Sequence, residues 1–289
     1  AFTAEQSADL RSRLSATCPG ARKPLLALEQ LLDGTASALA DYRVLLAADD
    51  TARVPYLHRF SESRVGDPVE HFDFDGRRFS RSSLNYLLGL AFLKRHLDPA
   101  ERQPVRVVLE IGGGFGTLGE ILACAGIEGL RYIDLDIPPT VFAAQYYLAS
   151  VLGADDVATY SITRERTEIA VRDLPKISVL CPWQIGALRG GVDLFVNFIS
   201  FQEMEPDVVR NYLGHVDRLC ARWVLLRNLR EGKQRRSAGN AQGVETPVVG
   251  DDYQAMLPGY DLVARNVFPF GYRTVDSFHS ELILLRRKS

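Results

Sequence analysis

The chain has 289 residues, 46% apolar and 24% charged, as expected for a globular protein of one large domain or one domain with an extension. Its 34 basic and 36 acidic side chains leave a formal charge of −2 with no long single-sign block, which speaks against a dedicated nucleic-acid binder. There is no membrane-length apolar run and no signal-peptide pattern. Cys18, Cys124, Cys181 and Cys220 form no CxxC pair or zinc spacing, so the expectation is a cytoplasmic protein with free thiols and no membrane partner.

Residues 1–100 read as a mostly helical zone. Apolar residues fall at helical spacing over 3–17, 22–34 and 35–50, with Gly34 as a C-cap. Residues 53–79 mix Pro, Gly, aromatic and charged residues and read as a loop carrying a short hairpin that turns at Asp75-Gly76. A Ser-capped helix then starts at Ser80 and stops before Pro99. From about 104 the pattern changes. Strands are expected at 105–111, 130–136, 192–198 and 222–228, with 177–185 as a further strand or loop. Helices are expected at 117–126, 140–153 and 206–219. Such alternation argues for a parallel sheet covered on both faces. A polar, Gly-containing loop at 231–247 precedes two closing strands, 260–270 and 280–288. The expected division is a helical cap, 1–100, and a ligand-binding α/β domain, 101–289.

The chemistry centres on "VVLEIGGGFGTLGE", a strand that runs into glycines and then a helix. Glycines let the backbone approach a ligand, and the helix N-terminus offers free N–H groups. Residues 114–119 match GxGxxG, and Asp134 follows Gly114 by 20 residues, so an NAD-dependent oxidoreductase is one reading. The overlapping pattern Glu110, Gly112, Gly114, Gly116 supports another. A carboxylate at Glu110 suits the ammonium of S-adenosylmethionine (SAM), directly or through water, and would repel a diphosphate. Asp134 would accept hydrogen bonds from the ribose, with Asp136 as its rival. Gly113 and Leu135 complete the expected cofactor cradle.

"LEIGGGFGTLGEIL", "YIDLDIPPTVFAAQYYL" and "DLFVNFISFQEM" together resemble the class I SAM-dependent methyltransferases of the sugar O-methyltransferase family, over about residues 80–285. The most specific part is Asn-x-x-Ser-Phe-x-Glu-Met at 197–204. The resemblance implies a Rossmann-like, seven-stranded, doubly wound sheet with SAM across the C-terminal strand ends and an antiparallel closing hairpin. It implies methyl transfer in bacterial natural-product or polysaccharide pathways, to a hydroxyl of a sugar or glycosylated natural product. Carbon methylation is the alternative.

A protonated hydroxyl is a poor nucleophile, so a general base is expected at a strand end on the cofactor side. Glu203 and His279 are the candidates, His279 for its ordinary pKa near 6.5. Asn197 is expected at the cofactor, and Gln202, Tyr86, Tyr56 and Arg227 at the acceptor. Trp183 and Gln184 fall where this fold often contacts adenine. The carboxylates form no recognisable metal-ligand set, so no metal is expected. The helical first zone is a candidate dimer contact.

Overall fold

The computed structural model describes residues 3–17, 28, 30–98, 104–274 and 276–288. Helix α1 (Ala4–Thr17) buries none of its side chains. The helix expected at 22–34 lies largely outside the described residues. Gly34 is left-handed (φ 84°) and leads into α2 (Thr35–Ala48). The hairpin β1 (Phe72–Phe74) and β2 (Arg77–Phe79) turns where expected, with Asp75 and Gly76 both at positive φ, as a two-residue hairpin loop requires. Ser80 then caps α3 (Arg81–His96), its hydroxyl accepting from the Ser83 N–H at 3.0 Å.

Seven strands of four or more residues build the main sheet. They are β3 (Val107–Ile111), β4 (Arg131–Leu135), β5 (Ile177–Leu180), β6 (Leu194–Phe198), β7 (Trp223–Leu229), β8 (Tyr260–Asn266) and β9 (His279–Arg287). Their order across the sheet is β8-β9-β7-β6-β3-β4-β5. Strands β7, β6, β3, β4 and β5 are mutually parallel. β9 inserts antiparallel between β7 and β8. The doubly wound sheet and the closing antiparallel pair are therefore present as expected. Two-residue strands at 157–158 and 272–273 extend it beside β5 and β9.

The strand order reverses at β3, where one crossover runs toward β4 and the rest of the chain returns through β6. That switch point opens a crevice at the C-terminal strand ends, where ligands bind in open α/β sheets. Helices α4 (Thr117–Cys124) and α5 (Thr140–Leu152) join α2 and α3 on one face. Helices α6 (Pro206–Arg218) and α7 (Gly250–Met256) cover the other. Strand residues alternate between these cores, as the twofold strand period dictates: Val108 and Val196 face α3, while Leu109 and Phe195 face α6. Helix α7 was not expected from the sequence. It has only seven residues, and its buried Tyr253 anchors it. No helix among the described residues is long and apolar enough to cross a membrane.

Candidate functional site

The glycine turn joins β3 to α4. Gly112, Gly114 and Gly116 all have positive φ, which Cβ-bearing residues rarely adopt. A Cβ on Gly113 would come within 2.4 Å of the Asp134 carboxylate, whereas one on Gly114 would meet nothing within 4 Å. Gly113 is thus packed against the protein, and Gly114 faces open space.

Three carboxylates surround this turn. Glu110 and Asp134 are direct neighbours across the parallel β3/β4 pair, and both are fully buried. They lie on the sheet face covered by α3. Tyr86, from α3, donates to Glu110 Oε1 at 2.7 Å, and Tyr132 donates to Oε2. Burial pushes the Glu110 carboxyl up to about 7, against the pull of those two hydroxyls. Burial, then the nearby Glu110, pushes Asp134 well above the ordinary carboxylate range. Asp134 Oδ1 accepts the Gly113 N–H at 3.2 Å, while Oδ2 is buried with no partner. The third carboxylate, Asp136, is half-buried at the turn's rim. It accepts the Gly114 N–H at 2.8 Å and its neighbour Ile137 N–H at 2.6 Å. Its pKa is raised by burial despite those bonds.

Two cavities meet at the turn, sharing Gly112, Phe198 and Ile199. One, of about 480 Å³, is bounded by Asp136, Ile137, Thr140, Pro182, Ser200, Glu203 and Tyr212. The other, of about 520 Å³, lies between the turn and the segment 62–86, with Glu62, Glu70, Asn85, Tyr86 and Phe115 in its wall. Among the described residues, neither wall contains a Lys, Arg or His. Ile199, at the junction, has φ 72°. A β-branched residue there is strained, at a cost of about 1–3 kcal/mol, and such outliers gather at functional sites.

The expected site residues separate in this geometry. Gly112, Gly113, Gly114 and Tyr86 line the 520 Å³ cavity, and Leu135 lines the other. Glu110 touches neither cavity, because the two tyrosine hydroxyls cover its oxygens; any ligand would sense it through Tyr86. Gly116 caps α4, and a Cβ there would strike Leu148 at 2.6 Å. Asn197 is wholly buried: its amide donates to the Ile111 carbonyl at 2.9 Å and accepts from the Phe201 N–H at 3.2 Å, tying β6 to β3 and to the following turn. Gln202 is likewise a brace, accepting the Leu229 N–H at 2.8 Å.

Glu203 lines the 480 Å³ cavity and pairs with Lys233 at 2.9 Å. His279 borders neither cavity; its Nδ1 sits 2.6 Å from Glu231. Tyr56 stands far from the turn. Its N–H donates to the Ala125 carbonyl, at the opposite end of α4, and its ring lies under the Arg59 guanidinium. Arg227 is entirely buried behind the cavity wall, 5.3 Å from the Phe198 ring, donating to the Asn85 and Phe270 carbonyls. Burial lowers its pKa to about 10. Trp183 is exposed and meets Tyr160 edge-on, while Gln184 is buried and accepts the Cys181 N–H. Among the described residues, no three His, Cys, Asp or Glu side chains gather as a metal site would need.

Sequence reasoning missed Glu62, Glu70, Phe198 and Ile199. Phe198 and Ile199 sit inside the Asn197–Met204 motif and follow directly from its position at a strand end. Glu62 and Glu70 come from an irregular loop whose path no periodicity reveals.

No family model matches the chain, and no curated protein matches it. Among solved structures it is similar to a mitomycin 7-O-methyltransferase (16% identity, covering 72% of this chain and 58% of that one, TM-score 0.43). It is similar to the magnesium protoporphyrin IX methyltransferase from Synechocystis PCC 6803 with bound S-adenosylhomocysteine (15% identity, 72% and 84%, TM-score 0.47). It is also similar to a SAM-dependent methyltransferase from Aquifex aeolicus (15% identity, 72% and 94%, TM-score 0.43). The chain spans little more than half of the first of these. TM-scores this low leave the functional reading to the chain's own geometry.

Proposed function

We propose that the chain is a SAM-dependent methyltransferase acting on a hydroxyl of a small-molecule acceptor, a sugar or glycosylated natural product. One observation carries the reading: the N–H groups of Gly113 and Gly114 are already taken by Asp134 and Asp136, and among the described residues no cation lines either cavity. A dinucleotide would bring a diphosphate to loop N–H groups already taken by Asp134 and Asp136. SAM brings an ammonium and a sulfonium instead. The cavities, about 480 and 520 Å³, fall in the range of ordinary ligand pockets. The open space beside Gly114 accommodates a ligand there.

In this reading Asp136, at the rim, accepts the ribose hydroxyls, and Asp134 holds the turn in place through Gly113. Ile137, Pro182 and Tyr212 enclose the adenosine. Tyr86 and Phe198 stack 4.9 Å apart and nearly parallel, and they form the floor beside which the acceptor hydroxyl aligns. Bound SAM would supply an electrophilic methyl on a sulfonium, so the protein's main tasks are alignment and exclusion of water. The hydroxyl proton leaves to a carboxylate of the acceptor cavity, Glu70. His279 and Glu203 have other roles: His279 braces Glu231, and Glu203 walls the cofactor side. The helical zone 1–100 contributes the acceptor wall through residues 62–86, as a cap. The three described cysteines are unpaired, which suits the reducing cytoplasm.

Isothermal titration tests the reading. S-adenosylhomocysteine binds with measurable heat and NADH gives none; NADH binding in place of S-adenosylhomocysteine would overturn it.

A further inference from the structure

The acceptor cavity has an unusual polar complement. Among the described residues its only charged side chains are Glu62 and Glu70. Glu62 is held in place: its Oε2 accepts the Ser80 N–H at 2.5 Å and the Ser83 hydroxyl at 2.8 Å, both at the start of α3. Its Oε1 has no hydrogen-bond partner among the described residues. Glu70 uses Oε1 to accept the Arg81 N–H at 3.0 Å. Around these acceptors stand Tyr86, Phe198, Phe115 and Val65, an apolar surface for the body of a ligand. Arg227 is buried behind Phe198 and outside the cavity wall; its Nη2 donates to two backbone carbonyls, while Nε and Nη1 have no hydrogen-bond partner.

Unpaired acceptors of negative charge in a half-enclosed, largely apolar cavity call for a ligand that donates hydrogen bonds and carries positive charge. A carboxylate or phosphate on the acceptor would meet repulsion from Glu62 and Glu70, and among the described residues no cation lines the cavity to offset it. We infer that the acceptor carries a protonated amine beside its hydroxyls, as an aminosugar does, and that Glu62 is the side chain that selects it. This rests on the methyl-transfer reading of the cavity.

Three matched probes test it: phenyl glucosaminide, phenyl N-acetylglucosaminide and phenyl glucuronide, which present an amine, a neutral amide and a carboxylate on similar frames. Each is titrated into the full chain with and without saturating S-adenosylhomocysteine. The amine is expected to bind at least about tenfold more tightly than the amide, the gain of one charge-assisted pair, and the glucuronide not at all. Glu62→Gln keeps an acceptor for Ser80 and Ser83 and should erase the preference while binding S-adenosylhomocysteine like the wild type. Equal binding of all three, binding of none, preference for the glucuronide, or a preference that survives in Glu62→Gln overturns the inference. Should Glu62→Gln fail to fold, the wild-type ranking and Glu70→Gln decide it. A wild type that ignores S-adenosylhomocysteine yet ranks the probes as expected would instead sink the methyl-transfer reading.

Discussion

Replacing Glu110 by Gln tests whether a buried negative charge under the glycine turn opposes folding. The carboxyl is fully buried, and its pKa rises from 4.5 to about 7, mainly through burial. The sign follows from linkage. A carboxyl that holds its proton more tightly when folded contributes stability at low pH and loses it as pH rises from the unfolded value through the folded one. At about 1.4 kcal/mol per pKa unit, the loss between pH 5 and pH 8 is about 2 to 3 kcal/mol. Gln keeps an acceptor for one tyrosine and cannot ionise. Urea unfolding of wild type and Glu110→Gln at pH 5, 6, 7 and 8 should therefore give curves that converge at the acid end and separate by that amount at the alkaline end, with the variant the more stable. Asp134 titrates with Glu110 and shifts in the same direction, so it steepens both curves without erasing their difference. Parallel curves would refute the reasoning, because they would mean that Glu110 ionises as freely in the folded chain as in the unfolded one.

Asp136→Ala should weaken S-adenosylhomocysteine binding by about tenfold or more, the worth of hydrogen bonds to a charged group, measured by calorimetry. Gly114→Ala places its methyl in open space, so thermal unfolding should register only the strain of a left-handed Ala, about 1–2 kcal/mol, while ligand affinity falls sharply. Gly113→Ala should be the more destabilising of the two, because its methyl strikes Asp134. His279→Ala and Glu203→Gln should each leave turnover nearly unchanged with any acceptor the wild type methylates; a hundredfold loss in either would restore it as the base. Ile199→Gly relieves a strained φ and should hold or raise the melting temperature while lowering affinity for S-adenosylhomocysteine.

The parts of the fold with strong local signals were legible in the sequence. The period change near residue 104, the Ser80 cap, the Asp75-Gly76 turn and the strand-glycine-helix corner each express a short-range rule, and each stands in the structure. Long-range packing was not legible. Tyr86 and Tyr132, which seal Glu110, lie on a helix and a strand more than 20 residues away in either direction. The spacing of Asp134 and Asp136 fits either as the ribose partner. Parity does not separate them, since both match Tyr132; the end of β4 does: Asp134 lies within the strand on the inward face, whereas Asp136 falls past its end at Leu135, on the rim. Asn197 sits near the end of β6 as expected and Arg227 two residues inside β7, yet both side chains are buried and bond within the protein. Residues 53–79 hide their contribution altogether, since an irregular loop carries no period from which to place Glu62.

The most direct test is a crystal structure of the chain grown with S-adenosylhomocysteine. The adenosine hydroxyls should rest on Asp136, with the adenine between Ile137 and Pro182 and the sulfur turned toward Phe198 and the cavity of Glu62. An adenosyl group lodged elsewhere, or a dinucleotide preferred at the same turn in a parallel soak, would contradict the assignment.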